Sequence, residues 1–162
     1  MKILGLTGGL HSCGLAYLEN GVPIFAFEEE RFNRIRTYKD FYAMKFRYPW
    51  ECGQHVWYHK NYDWMKLDYI TSHYDSEVAE KIWKGIGLGP FPSEKYIKIN
   101  HHLGHCALAY YCSGFEEDTF VISIDASGEK YSCRMYLGKN GNMEEINNIP
   151  LTYKSLGHYY SM

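Results

Sequence analysis

Residues 119–149 read TFVISIDASGEKYSCRMYLGKNGNMEEINNI, and residues 2–30 read KILGLTGGLHSCGLAYLENGVPIFAFEEE. The two stretches share a plan. Each opens with an apolar strand, Lys2–Thr7 in one and Thr119–Asp125 in the other, that runs into small residues: Gly8-Gly9 and Ala126-Ser127-Gly128. A second strand follows, Gly14–Leu18 or Tyr131–Leu137. Next come Glu19-Asn20-Gly21 and Gly138–Asn142, and Asn-Gly tolerates the positive φ of a tight hairpin. Val22–Phe27 and Met143–Ile149 complete the pattern as third strands. The match lies in pattern and not in residue identity. It predicts a three-stranded antiparallel meander that recurs within the chain.

Between the meanders, the segment from Arg34 to Asp68 is rich in aromatics and bases and is cut by Pro49, which suits one or two helices. Asp68–Ser72 reads as a strand, and Ser76–Lys84 as a helix with Ser76 as its N-cap and Val78, Ile82 and Trp83 at helical spacing. The Gly/Pro-rich run Gly85–Pro92 must be loop. Tyr96–Ile99 is a short strand, and His101–Tyr111 a helix with Ala107, Leu108 and Tyr111 on one side and Gly114 as its stop. A meander, alternating helices and strands, then a second meander is the plan of the duplicated ribonuclease-H-like α/β fold. Two such halves make the actin, sugar-kinase and heat-shock ATPase architecture, in which the loops after the first strand of each half hold phosphates. The expectation is a complete first half over about residues 1–117 and a second half over about 118–162, truncated after its β-meander.

Bulk properties narrow the partners. At 162 residues the chain can bury a sizeable core, and 46% apolar with 22% charged residues is ordinary for a globular protein. A net charge of −2 with no basic block argues against a nucleic-acid partner. No stretch approaches the roughly 18 apolar residues of a spanning helix, which argues against a membrane. The start, MKILGLTGG, reads as a buried strand rather than a signal peptide. Five scattered cysteines without a C-x-x-C suit free structural thiols in a cytoplasmic protein.

The chemistry-bearing residues cluster at 100–110, NHHLGHCALAY. His101 and His105 are four apart, so on a helix they share a face and two imidazoles can converge on one ion at about 2.0–2.1 Å. His102 points about 100° away. Two readings of the pair stand: a half-built metal site, or a helix start with one capping and one solvated histidine. Asp125 ends an apolar strand, where a carboxylate emerges at the sheet edge, and two histidines with a carboxylate leave positions open for substrate. A second H-x-x-x-H, His55 and His59 with Cys52 upstream, has no carboxylate tied to it and reads as packing or surface. His11 lies in the first glycine loop, where backbone amides and an imidazole can meet an anion. Glu28-Glu29-Glu30-Arg31 either faces solvent or pairs with Arg31, Arg34 or Arg36.

Taken in order, G-x-x-H at 8–11, EEERFNR at 28–34, NHHLGHCALAYYCSGFEE at 100–117, SIDASGE at 123–129 and SLGHYYS at 155–161 resemble the carbamoyltransferases of the nodulation and antibiotic-tailoring type, the tobramycin and cephamycin enzymes among them. That resemblance implies the amino-terminal domain of such an enzyme. A YrdC-like second domain there makes carbamoyl adenylate from carbamoyl phosphate and ATP, and the first domain passes the carbamoyl group to a small-molecule hydroxyl beside a divalent metal, iron in the family. Carried over by position, His101, His105 and Asp125 are the metal ligands. His11 is the catalytic residue of the first loop, and Ala126, Ser127 and Gly128 lie under the adenylate. The family's HDSSA reads HSCGL here, and IRTYKD stands where a KHD is usual. The YrdC-like domain and a further metal-binding aspartate are not in the chain, so the expectation is a part that is incomplete alone and works with a separate remainder or as a homo-oligomer. Rival expectations are a non-catalytic metal- or nucleotide-binding remnant and a tRNA threonylcarbamoyl transferase-like protein.

Overall fold

The computed structural model describes residues 1–9, 13–35, 48–60, 63–115, 117–150 and 155–160. It is a mixed α/β protein that divides into two compact units, Met1–Lys98 and Ile99–Met162. Among the described residues no helix is long and apolar enough to cross a membrane.

The first unit is built on a mixed five-stranded sheet. Its strands are β1 (Lys2–Thr7), β2 (Gly14–Glu19), β3 (Val22–Glu28), β4 (Tyr69–Ser72) and β5 (Tyr96–Lys98), in the order β3-β2-β1-β4-β5. The first three form the expected antiparallel meander, with Lys2 opposite Glu19 and Thr7 opposite Gly14. Its hairpin turns where Asn20 and Gly21 take φ of 53° and 82°, the two positive values that a tight turn of this hand requires. β4 pairs parallel to β1 and β5 parallel to β4, with α3 (Ser76–Gly85) between the two parallel strands in sequence. Leu4, Leu6, Leu15 and Tyr17 of the meander pack with Ile70 of β4 and with Ala79, Ile82 and Trp83 of α3. The N-cap of that helix is Asp75 and not the expected Ser76; the Asp75 carboxylate makes no cap bond and accepts instead from Lys98 Nζ at 2.7 Å.

The acidic run after β3 follows the expected arrangement at Glu28 and departs from it at Glu29. Glu28 and Arg31 form an exposed ion pair at 3.6 Å, while Glu29, the first residue of α1 (Glu29–Asn33), is buried. Its two carboxylate oxygens accept from the backbone N–H groups of Glu51 (2.9 Å) and Cys52 (3.0 Å), which open α2 (Trp50–Lys60) just after Pro49. A helix start offers unpaired donors and favours negative charge, so a buried carboxylate there needs no cationic partner. The Cys52 thiol is held far above its ordinary value, first by burial and then by the adjacent Glu29 carboxylate, which leaves it protonated and inert. Arg36 lies outside the described residues.

The second unit repeats the meander: β6 (Thr119–Gly128), β7 (Tyr131–Lys139) and β8 (Asn142–Pro150), in the order β6-β7-β8, all antiparallel. Its second hairpin again turns on Asn-Gly, with Asn140 at φ 50° and Gly141 at 74°. Ala126-Ser127-Gly128, expected as a loop, belongs instead to β6; the register shifts between Ile124 and Gly128, and the turn falls at Glu129-Lys130. α4 (His101–Ser113) ends at Gly114 (φ 73°) as expected and lies across β6 and β7. The face it buries is not the side of Leu108 and Tyr111. His102, Cys106 and Tyr110 are inside with Val121 and Tyr136, while Leu108 is 67% exposed and Tyr111 also faces solvent. A short α5 (Leu156–Tyr160) packs on β6.

Replacing Glu29 with Ala removes both acceptors from the start of α2. Unfolding in urea is expected to show a loss of about 1–3 kcal/mol, with Glu29→Gln, which keeps one acceptor, losing less.

Candidate metal centre

Asn100 sets the start of α4. Its Oδ1 accepts from the Leu103 backbone N–H at 3.1 Å, and its Nδ2 donates to Glu129 in the β6–β7 turn. One amide thus caps the helix and ties it to the sheet. His101 and His102 are the first two helical residues and go to different places.

His102 is buried and spends both ring nitrogens. The Tyr131 carbonyl can only accept, so Nε2–H donates to it at 3.0 Å, and Nδ1 accepts from the Ser123 hydroxyl at 2.8 Å. This imidazole is a core anchor and not a ligand. Gly128 passes directly over it: a Cβ there would fall 2.7 Å from His102 Cδ2 and 2.8 Å from His101 Cδ2. The bare backbone is what lets β6 run close beneath the two rings.

His101 Nε2 stands 2.8 Å from Asp125 Oδ2 and 3.2 Å from His105 Nε2, and His105 Nε2 is 3.9 Å from the same carboxylate oxygen. The three ligand atoms lie within 4.8 Å of one another. Donor atoms about 2.0–2.1 Å from a tetrahedral ion sit about 3.3 Å apart, so these separations suit a shared cation. The donor set fits as well. His101 Nε2 can carry one proton, which Asp125 takes as a hydrogen bond, and it then has no lone pair to offer His105. Two imidazole nitrogens and a carboxylate oxygen turned toward one point are reconciled by a single cation that accepts all three lone pairs, and this set suits a transition metal.

Asp125 is fixed from its other side. Its Oδ1 accepts from the Ala126 backbone N–H at 2.6 Å. Burial pushes its carboxyl pKa up, but the hydrogen bonds from His101 and Ala126 outweigh that and hold it below the ordinary carboxylate value. Burial and the neighbouring His101 pull His105 below the ordinary imidazole value, against the partial offset of Asp125. Both shifts favour the deprotonated, ligating forms. α5 backs the strand here: the Ser155 hydroxyl donates to the Ala126 carbonyl at 3.0 Å, and Gly157 lies so close that any Cβ would enter the Asp125–Ala126 backbone. His105, 56% exposed, leaves one side of the trio open to solvent.

Of the residues singled out in the sequence, His101, His105 and Asp125 are brought together. Ala126 and Gly128 contribute backbone, the Ser127 side chain lies outside the described residues, and so does His11. His55 packs edge-on to Phe27 and beside Phe32, at 5.2 and 5.1 Å between ring centres, while the His59 side chain lies outside the described residues. Sequence reasoning missed Asn100, His102, Ser123 and Gly157. An asparagine just before a helix is a recognisable cap, whereas nothing in the spacing marks His102 as an anchor.

Gly157→Ala is expected to lift α5 off β6 and to lower stability by about 1–3 kcal/mol, read by urea unfolding. Metal affinity, read by competition with a chelator, is expected to be level above neutral pH. It is expected to fall by about tenfold per pH unit for each ligand that protonates, with His105 contributing only below the ordinary imidazole value of 6.5.

Residues 92–162 match the family model described as the carbamoyltransferase N-terminus, a span that contains the whole trio. No curated protein matches the chain. Among solved structures it is similar to that of the Aquifex aeolicus PPX-GPPA enzyme, at 16% identity and a TM-score of 0.43, over 95% of this chain and 54% of that one. The chain spans about half the length of that enzyme chain.

Proposed function

We propose that this chain is the N-terminal part of an O-carbamoyltransferase with a ribonuclease-H-like core, serving transfer of a carbamoyl group from carbamoyl adenylate, made from carbamoyl phosphate and ATP, to a small-molecule hydroxyl. One observation carries the reading: the His101–His105–Asp125 trio has ligand-like spacing and lies inside the span matched by the carbamoyltransferase model. The strand order β3-β2-β1-β4-β5, with an antiparallel meander flanked by parallel strands, supports the core assignment.

A divalent metal, iron by the resemblance, would supply Lewis-acid polarisation of the carbamoyl oxygen when bound. His101 and His105 would hold it through Nε2 and Asp125 through Oδ2. Asp125 stays anionic because Ala126 N–H and His101 stabilise its charge, and it balances part of the cation's charge. His105 borders the open side, where an acceptor hydroxyl has room to approach. Gly128 keeps side-chain bulk away from the rings, and the backbone of Ala126–Gly128 is the surface on which the adenylate would rest. The remaining ligands, the adenylating domain and the acceptor site would come from a further part of the enzyme or from a second copy.

The test is metal content by mass spectrometry of the purified chain beside a His101→Ala/His105→Ala variant. About one transition-metal ion per chain is expected in the parent, and a loss of at least about 90% in the variant. Equal trace metal in both, with both chains folded, would remove the metal-centre reading and favour a non-catalytic remnant.

A further inference from the structure

The two meanders can be laid on each other residue by residue. Their second hairpins turn at Asn20-Gly21 and Asn140-Gly141. Counted back from those turns, Leu15 and Tyr17 of β2 fall on Met135 and Leu137 of β7. Cross-strand pairing carries the match to the first strands. Leu4 pairs with Tyr17 as Phe120 pairs with Leu137, and Leu6 pairs with Leu15 as Ile122 pairs with Met135. An ion pair marks the same place in both meanders with its charges exchanged: Lys2–Glu19 at 3.6 Å and Asp118–Lys139 at 2.9 Å.

The equivalent residues have opposite surroundings. Leu4, Leu6, Leu15 and Tyr17 are all buried, in one cluster with Ile70 of β4, Val56 of α2, and Ala79, Ile82 and Trp83 of α3. Phe120 and Ile122 are 56% and 44% exposed, and Met135 and Leu137 are only half-buried. Ile124, also exposed, extends the patch along β6. α4 leaves this face bare because it packs on Val121 and Tyr136, whose side chains point the other way. α5 meets β6 further along, at Asp125–Ala126. A contiguous group of large apolar side chains in water marks an interaction surface.

The adjoining edge is open as well. β1 lies between β2 and the parallel strand β4, whereas β6 ends its three-stranded sheet among the described residues. Such an edge offers backbone N–H and C=O groups to an incoming strand. In the first unit Ile3 lies beside Tyr69 and Gly5 beside Thr71, a register that translates to a strand along Thr119–Val121. A second copy fits poorly. A two-fold axis would set β6 antiparallel to its mate, and the joined sheet would still expose the same apolar face. Glu144, across from Leu137, adds a negative charge to that face and favours a basic neighbour.

We propose that the open edge of β6 and the Phe120–Ile122–Met135–Leu137 face form a docking surface for a strand–helix segment of a partner polypeptide. The strand runs parallel to β6, and the helix lays an apolar stripe flanked by Lys or Arg over the face. The surface does not involve the metal centre, and its test stands whichever way the metal measurement falls.

The probe is a synthetic peptide of residues 68–86, the β4–α3 segment itself, in which Lys81 and Lys84 flank Ile82-Trp83. It is added to the ¹⁵N-labelled full chain. Binding is expected to saturate below about 1 mM peptide and to shift the amide signals of Thr119–Ile122. An Ile82→Asp peptide is expected to bind at least about tenfold more weakly, as is the parent peptide on a Phe120→Ser/Ile122→Ser chain. Unchanged α4 and β1 signals without peptide show that the variant chain is folded. The proposal is overturned if the shifts do not saturate, if they fall elsewhere in the chain, or if the altered peptide or the folded variant binds like its parent. A dimer in sedimentation that Phe120→Ser/Ile122→Ser splits would also overturn it, and would assign the face to a second copy.

Discussion

The second unit depends on one buried imidazole. His102 donates to the Tyr131 carbonyl and accepts from the Ser123 hydroxyl, so it bonds one helix to two strands through a single ring. Leaving either nitrogen unpaired in the core would cost about 1–3 kcal/mol, and the rotation of α4 that satisfies both is therefore strongly preferred. Once that rotation is set, His101 and His105 have no freedom in where they face. The residue before His102 and the one three after it share the face that meets Asp125, and Gly128 lets the strand approach closely enough for them to reach it. The trio is a consequence of how a neighbouring histidine is buried.

The first unit solves a similar problem with a charge. Glu29 is buried without a cationic partner among the described residues, and two backbone N–H groups at the start of α2 bond to both of its oxygens. Here too a polar side chain on one element fixes the position of another, and in both units the fastening sits beside an Asn-Gly meander. The meanders need little fastening of their own, because the turn residues and the alternation of buried positions set their register. What the polar anchors settle is how the helices lie on the sheets.

That division explains what could be read in advance. Both meanders were legible because Asn20-Gly21 and Asn140-Gly141 carry local information, the positive φ that few other residue pairs accept. That His101, His105 and Asp125 come close together was legible from helical spacing and strand position. The buried face of α4 was not. Leu103, Cys106, Ala107, Leu108, Ala109, Tyr110 and Tyr111 spread apolar character around the helix, so periodicity gives no preferred side, and a histidine outweighed a leucine for the interior. Ala126-Ser127-Gly128 has the composition of a loop but continues the strand, because its small residues make room for two imidazoles and for α5. Glu29 inside a run of four charged residues resembles solvated surface, and the donors that receive its carboxylate open a helix more than twenty residues later.

The position of the trio also constrains what it can hold. His101 and His105 lie in the first turns of α4, and a helix start favours anions and works against cations. Two neutral imidazoles alone would therefore make a poor cation site there. Asp125 changes the balance, since its carboxylate is stabilised by the Ala126 N–H and His101 and brings a full negative charge to the point where both nitrogens converge. The helix start then faces a group that carries the charge it favours, and both imidazole nitrogens lie within 4.8 Å of that carboxylate.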